Sequence, residues 1–165
     1  MRDQLFFICP TDQIEKEINN HFSGEKHFHY SLGNSTSLTD ELVGQIIELI
    51  ETKNISKITF VLSSENQIVI DSIEKQNYSE LTGLRDFYDY IEIQRKSSLQ
   101  SWKTWNHQYL ILSYHLNKKI EILKTKLFDL IPETVEIDAK IFHKNIGEFK
   151  AIYPELICLE TFNLN

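Results

Sequence analysis

The side chains able to do chemistry gather in a few short stretches. Cys9, Thr11 and Asp12 follow one another in Cys9-Pro10-Thr11-Asp12-Gln13, directly after the apolar run LFFI. A cysteine placed between a strand end and a helix start feels the helix dipole, which favours the thiolate, the form that attacks carbon or binds metal. The apolar residues ahead of it, and the lack of a histidine base nearby in sequence, favour a buried, inert thiol instead. Ser63, Ser64, Glu65, Asn66 and Gln67 form a second polar stretch after the run KITFVL. The turn between a strand's C-terminal end and a helix is where open α/β sheets receive ligands and where helix amides receive anions. The simpler reading makes Ser64 a helix N-cap, with Gln67 reaching back as its capping-box partner.

Gly33 and Asn34 mark a turn whose glycine suits an unusual backbone angle. His21, His27 and His29 lie close together in sequence. On a strand His27 and His29 share one face and present two imidazoles to a metal, yet only Glu25 stands near as a third donor, so surface histidines are the preferred reading. Trp102, Trp105, Tyr109 and Tyr114 make an aromatic cluster, read as core before interface.

Alternating strand and helix patterns must position these residues. Residues 5–9 form a short apolar run closed by Pro10, suited to a strand buried on both faces. Thr11 or Asp12 can cap a helix that carries Ile14, Ile18 and Phe22 and stops at Gly24. Residues 26–31 predict a second strand. A helix is expected over 37–52, capped by Ser37 or Thr39, with Leu42, Ile46, Leu49 and Ile50 as its apolar stripe. Residues 57–62 predict a third strand, followed by a helix through Ile68, Ile70 and Ile73. The period then lengthens into helices over about 80–130, one through Leu84, Phe87, Tyr88 and Ile91, another through Leu110, Leu112, Leu116, Ile120, Leu123 and Leu127, ended by Pro132. Residues 134–142 alternate with period two and return to the sheet, and 155–162 suggest a last edge strand. Strand and helix in alternation imply one α/β domain over 1–165, with a mainly parallel sheet of four or five strands and right-handed crossovers.

Composition narrows the function. The 165 residues include 17 Lys+Arg against 24 Asp+Glu, a formal net charge of -7, so no broad cationic surface for nucleic acid or anionic membrane is expected. With 41% hydrophobic residues, 5 Gly and 3 Pro, the chain can bury a core rather than remain disordered. The cysteines, Cys9 and Cys158, form no CxxC pair and support neither a disulfide scaffold nor a four-cysteine zinc site. The first residues offer too short an apolar run for a signal peptide, and no stretch is apolar enough to span a membrane, so a cytoplasmic protein is expected.

The order of elements and the turns resemble the β-class carbonic anhydrases. In that family the first strand ends in C-x-D-[ST]-R, the second leads to R-N-x-G-N, and the third ends in G-H-x-x-C-G. Here the corresponding segments read Cys9-Pro10-Thr11-Asp12-Gln13, Ser31-Leu32-Gly33-Asn34 and Ser63-Ser64-Glu65-Asn66-Gln67-Ile68. The family's zinc is held by two cysteines and a histidine, and of these positions only Cys9 keeps its ligand: Ser64 stands at the histidine and Gln67 at the second cysteine. Thr11 and Gln13 replace the family's Asp-Arg pair, with Asp12 one place late. The resemblance therefore implies a metal-free, non-catalytic homodimer on a carbonic anhydrase-like scaffold, with no cofactor. Two alternatives stay open: a small-anion or metabolite sensor using the vacated site between Cys9, Asn34 and Ser64, and a metal-dependent enzyme built from Cys9, Asp12 and His27/His29.

Overall fold

The computed structural model describes residues 2–99, 107–131 and 135–154. Its strands are β1 (Asp3–Ile8), β2 (Lys26–Tyr30), β3 (Ile55–Ser63), β4 (Glu136–His143) and β5 (Glu148–Ala151), ordered β2-β1-β3-β4-β5 in one sheet. The first four strands are mutually parallel, and β5 returns antiparallel beside β4. Helices α1 (Glu15–His21), α2 (Asp40–Lys53), α3 (Gln67–Glu74), α4 (Arg85–Leu99) and α5 (His107–Leu127) make the crossovers. The expected mainly parallel α/β sheet is thus present with five strands. No helix among the described residues is long and apolar enough to cross a membrane.

The run LFFI is uninterrupted because β1 lies inside the sheet, between β2 and β3, and is covered on both faces. Phe6 and Ile8 point to one face, where they meet Val61, Phe142, Ile14 at the N-cap of α1 and Ile18 within it. Leu5, Phe7 and Cys9 point to the other, joining Ile58, Phe60, Leu62 and Ile141 under the longer helices. The helical patterns of the sequence fill that larger core: Val43, Ile46 and Ile50 from α2, Phe87, Tyr88 and Ile91 from α4, and Ile111, Leu112, Leu116 and Leu123 from α5. Each such side chain contributes roughly 1.5–3 kcal/mol by leaving water. The β3–β4 register is fixed by polar groups as well: Lys57 Nζ reaches Glu136 Oε1 at 2.6 Å and Asp138 Oδ2 at 2.9 Å, and the Thr59 hydroxyl donates to Asp138 Oδ1 at 2.7 Å.

Several boundaries differ from the sequence reading. α2 starts at Asp40, and of the two expected caps Thr39 is used, its Oγ1 accepting from Leu42 N–H at 3.3 Å. α1 has Ile14 at its N-cap with no side-chain bond, so neither Thr11 nor Asp12 caps it. β5 was not anticipated. Its four residues follow the tight turn through Gly147, and such a short edge strand leaves little periodicity to read. The edge strand expected at 155–162 and the residues Trp102, Trp105, Pro132 and Cys158 lie outside the described residues.

Between β2 and α2 a one-turn 3-10 helix, Leu32–Asn34, carries Gly33 at φ +59° and Asn34 at φ +53°. A Cβ on Gly33 would sit 3.1 Å from Ile68 Cγ2 and 3.4 Å from the Phe87 ring, so both angle and space require glycine. Gly44, exposed within α2, has nothing within 4 Å of such an atom. Gly33→Ala should lower unfolding free energy by about 1–3 kcal/mol, whereas Gly44→Ala should raise it by about 0.5–1 kcal/mol. Urea denaturation of both variants checks the contrast; equal effects would contradict the strained, close-packed role given to Gly33.

Candidate functional site

The C-terminal ends of β1 and β3 and the 32–34 turn bring Cys9, Asp12, Gly33, Asn34, Ser63 and Asn66 together. Cys9 follows β1 and is fully buried. Its Sγ accepts from Gly33 N–H at 3.1 Å and is hydrogen-bonded to Thr11 Oγ1 at 3.0 Å, while Thr11 itself is exposed. The thiol therefore tethers the glycine turn to the strand end. Asn34 is also buried: its Nδ2 donates to Phe7 O at 3.3 Å and Val61 O at 3.1 Å, tying the turn to β1 and β3. Asn34 Oδ1 is buried without a partner among the described residues.

The Asp12 carboxyl group stands at the centre of the cluster. Oδ2 accepts from Ser63 N–H at 2.8 Å and Oδ1 accepts from Asn66 Nδ2 at 2.9 Å. Burial raises its pKa above the usual carboxylate value, and the bonds from Ser63 and Asn66 together with the charge of Lys144 oppose that rise. Asn66 in turn caps α3, its Oδ1 accepting from Val69 N–H at 3.0 Å. Ser63 N–H, Asn66 Nδ2 and Val69 N–H, donors that a strand end and helix start could offer to an anion, are in this way taken by the chain's own side chains.

The capping expectation at Ser64 is corrected here. Ser64 N–H donates to Phe142 O at 2.9 Å, continuing the hydrogen bonding to β4 one residue past the end of β3, and Ser64 O accepts from Gln108 Nε2 at 2.6 Å, so the residue is held in the turn and does not cap the helix. The helix begins later, at Asn66, and Gln67 is exposed with its Nε2 donating to Glu65 O at 3.1 Å. No capping box forms. Ser63 Oγ accepts from Glu65 N–H at 3.2 Å and shapes the turn between.

Sequence reasoning missed the residues that support this cluster from α5. His115, buried, has Nε2 at 2.8 Å from Gly33 O, which makes that nitrogen the protonated donor. Burial, with Lys119 nearby, drives its pKa down to about 3, so the ring is neutral. Lys119 Nζ donates to Ser35 O at 3.3 Å and Thr36 O at 2.7 Å, and burial followed by the charge of Lys118 lowers its pKa to about 8. The available signal was a histidine and a lysine falling four residues apart within the apolar pattern of α5.

His27 and His29 lie elsewhere. β2 pairs with β1 so that His27 stands opposite Leu5 and His29 opposite Phe7. His27 is thus four residues short of the level of Cys9, about 13 Å along the strand at about 3.3 Å per residue. His29 packs on the Phe7 ring, centroids 4.8 Å apart, and burial lowers its pKa. A centre of Cys9, Asp12 and these histidines is therefore not assembled. Nor do the strand-end residues fit zinc in the manner of the family: Cys9 offers one thiolate, Ser64 and Gln67 bring a hydroxyl and a carboxamide, and neither is a usual ligand at the required distance of about 2.0–2.3 Å.

Of the sequence-predicted aromatic cluster, Tyr114 is buried and Tyr109 is half-buried, its hydroxyl donating to Ala151 O.

No family model matches the chain, and no curated protein matches it by sequence. Solved structures do match in fold. The β-carbonic anhydrase CafD of Aspergillus fumigatus superposes with a TM-score of 0.73 at 13% identity, covering 93% of this chain and 90% of that one. One of two tetrameric β-carbonic anhydrases from Sordaria macrospora gives 0.70 at 16% identity, covering 92% and 80%. The Coccomyxa β-carbonic anhydrase in complex with acetazolamide gives 0.69 at 11%, covering 92% and 72%. The chain therefore has a β-carbonic anhydrase-like fold, as its turns suggested.

The buried, neutral His115 has a pH consequence. Below about 6.5 the unfolded chain protonates this ring while the folded protein holds it neutral down to about 3. Its contribution to stability is complete above 6.5 and is lost as pH falls through that window, with a slope of up to about 1.4 kcal/mol per pH unit. His115→Gln, which keeps a donor for Gly33 O, should flatten the fall of unfolding free energy between pH 6.5 and 4; an unchanged slope would contradict the assignment.

Proposed function

We propose that this chain is a carbonic anhydrase-like protein without the hydratase reaction, a scaffold with no zinc at its strand-end site that works by binding or assembly. One observation carries the reading: among the described residues the strand-end site holds a single thiol, already hydrogen-bonded to Gly33, and is closed by the Asp12 carboxylate on Ser63 and Asn66. Hydration of carbon dioxide near neutral pH needs a hydroxide, and zinc supplies it by lowering the pKa of bound water from 15.7 to about 7. Asp12 is no substitute, because both its oxygens are occupied by internal donors.

A sensor for a small anion or metabolite at the same place is the second reading. The buried, unpartnered Asn34 Oδ1 favours it, and an acceptor selects a ligand that donates a hydrogen bond. A bare anion would instead compete with Asp12 for Ser63 N–H, so metabolite is the better half of that alternative. Self-association as a homodimer belongs to the proposal; exposed Phe128, Leu130 and Tyr30 offer apolar surface for it. The free, buried Cys9 suits a reducing, cytoplasmic setting.

The test pairs elemental analysis of protein purified without chelator with a stopped-flow carbon dioxide hydration assay. The proposal expects hydration at the uncatalysed rate, and a Cys9→Ser variant whose metal content and activity equal those of the parent. Zinc near one per chain, with hydration that Cys9→Ser abolishes, would overturn it.

A further inference from the structure

At the opposite end of the sheet, three donors converge that the strand-end site does not use. Asp3 opens β1, and Glu25 immediately precedes β2, which carries His27. The parallel register sets Leu5 opposite His27 and Gln4 opposite Lys26, and the bond from Gln4 N–H to Glu25 O at 2.9 Å continues the ladder back by a residue. Side chains two apart on a strand share a face, so Asp3, Glu25 and His27 emerge on the same side. Their ligating atoms all lie within 4.8 Å of one another, and His27 Nε2 is 3.2 Å from Asp3 Oδ2. Donors about 2.1 Å from one tetrahedral ion stand about 3.4 Å apart, so modest side-chain rotation closes the set.

The surroundings favour a cation. Among the described residues no lysine or arginine pairs with Asp3 or Glu25; Lys26 turns to Asn19 O at 3.4 Å, and Lys57 to Glu136 and Asp138. The loop bearing Glu25 is held in place by a second bond, Gln4 Nε2 donating to Ser23 O at 2.7 Å, so the donors are ordered by the backbone before any ion arrives. Asp3 and His27 are partly buried and Glu25 is exposed, which leaves an approach from solvent and room for water ligands. Two carboxyl groups and an imidazole make a mixed oxygen and nitrogen donor set of the kind a divalent ion takes.

From this geometry we infer that Asp3, Glu25 and His27 form a site for a divalent transition-metal ion, with one nitrogen and two oxygen donors of the kind that suits zinc, cobalt or manganese. The ion clips the start of β1 to the start of β2, at the far end of the strands from Cys9. It is independent of the strand-end site and of the zinc-free reading given to it.

The test titrates the metal-free full chain with Co2+, followed by visible absorption, and with Zn2+, followed by calorimetry. The inference expects saturable binding at one equivalent in the parent, in Cys9→Ser and in His29→Gln. It expects affinity to fall by at least about tenfold in His27→Gln and in Glu25→Gln; Glu25 is exposed, so its replacement leaves the fold intact. Absence of saturable binding, or binding unchanged in both of those variants, overturns the site. Binding lost in Cys9→Ser overturns it too, and the zinc-free reading with it.

Discussion

A carboxylate held inside a protein must be given donors, and Asp12 obtains them from another strand. Its two oxygens take Ser63 N–H and Asn66 Nδ2, so a residue just beyond β1 is bound to the end of β3 and to the residue that starts α3. Hydrogen bonds to a charged group contribute about 1.5–3 kcal/mol each, and leaving such a group buried and unpaired costs more. The end of β1, the end of β3 and the first turn of α3 are consequently fixed together. Polar groups that could have faced a ligand are turned on one another.

A second brace meets the first through the glycine turn. Cys9 Sγ receives Gly33 N–H, and Gly33 O receives the His115 ring, so the turn is clamped from β1 on one side and from α5 on the other. Asn34 adds bonds to the carbonyls of Phe7 and Val61, and Lys119 holds the carbonyls of Ser35 and Thr36 that follow. Together these contacts make the C-terminal ends of the strands a closed polar core under the helices. The likeness to β-carbonic anhydrases lies in the scaffold that carries this core.

Much of the architecture was legible in residue pattern. The unbroken run before Cys9 identified a central strand because such a strand is apolar on both faces, and Thr39 was among the caps expected for α2. The turn at Gly33-Asn34 was legible because its backbone angles admit few residues. What escaped was set by long-range contact. Asp12 looked like a local helix cap, and its partners lie some fifty positions away. Asn66 instead of Ser64 starts α3 because Ser64 is held by its bond to Phe142 O, a contact no local pattern contains. The same limit hid His115, whose partner is the carbonyl of Gly33, and placed His27 with Asp3 and Glu25 instead of with Cys9.

The central claim is that Asp12 closes the strand-end site and Cys9 does not ligate metal there. Its most direct test is a crystal structure of the protein grown with excess Zn2+, with anomalous scattering recorded on both sides of the zinc absorption edge. The account predicts no anomalous peak within bonding distance of Cys9 Sγ and both Asp12 oxygens on Ser63 and Asn66. A zinc peak on Cys9 Sγ, with the Asp12 carboxylate moved away from those donors, would contradict it.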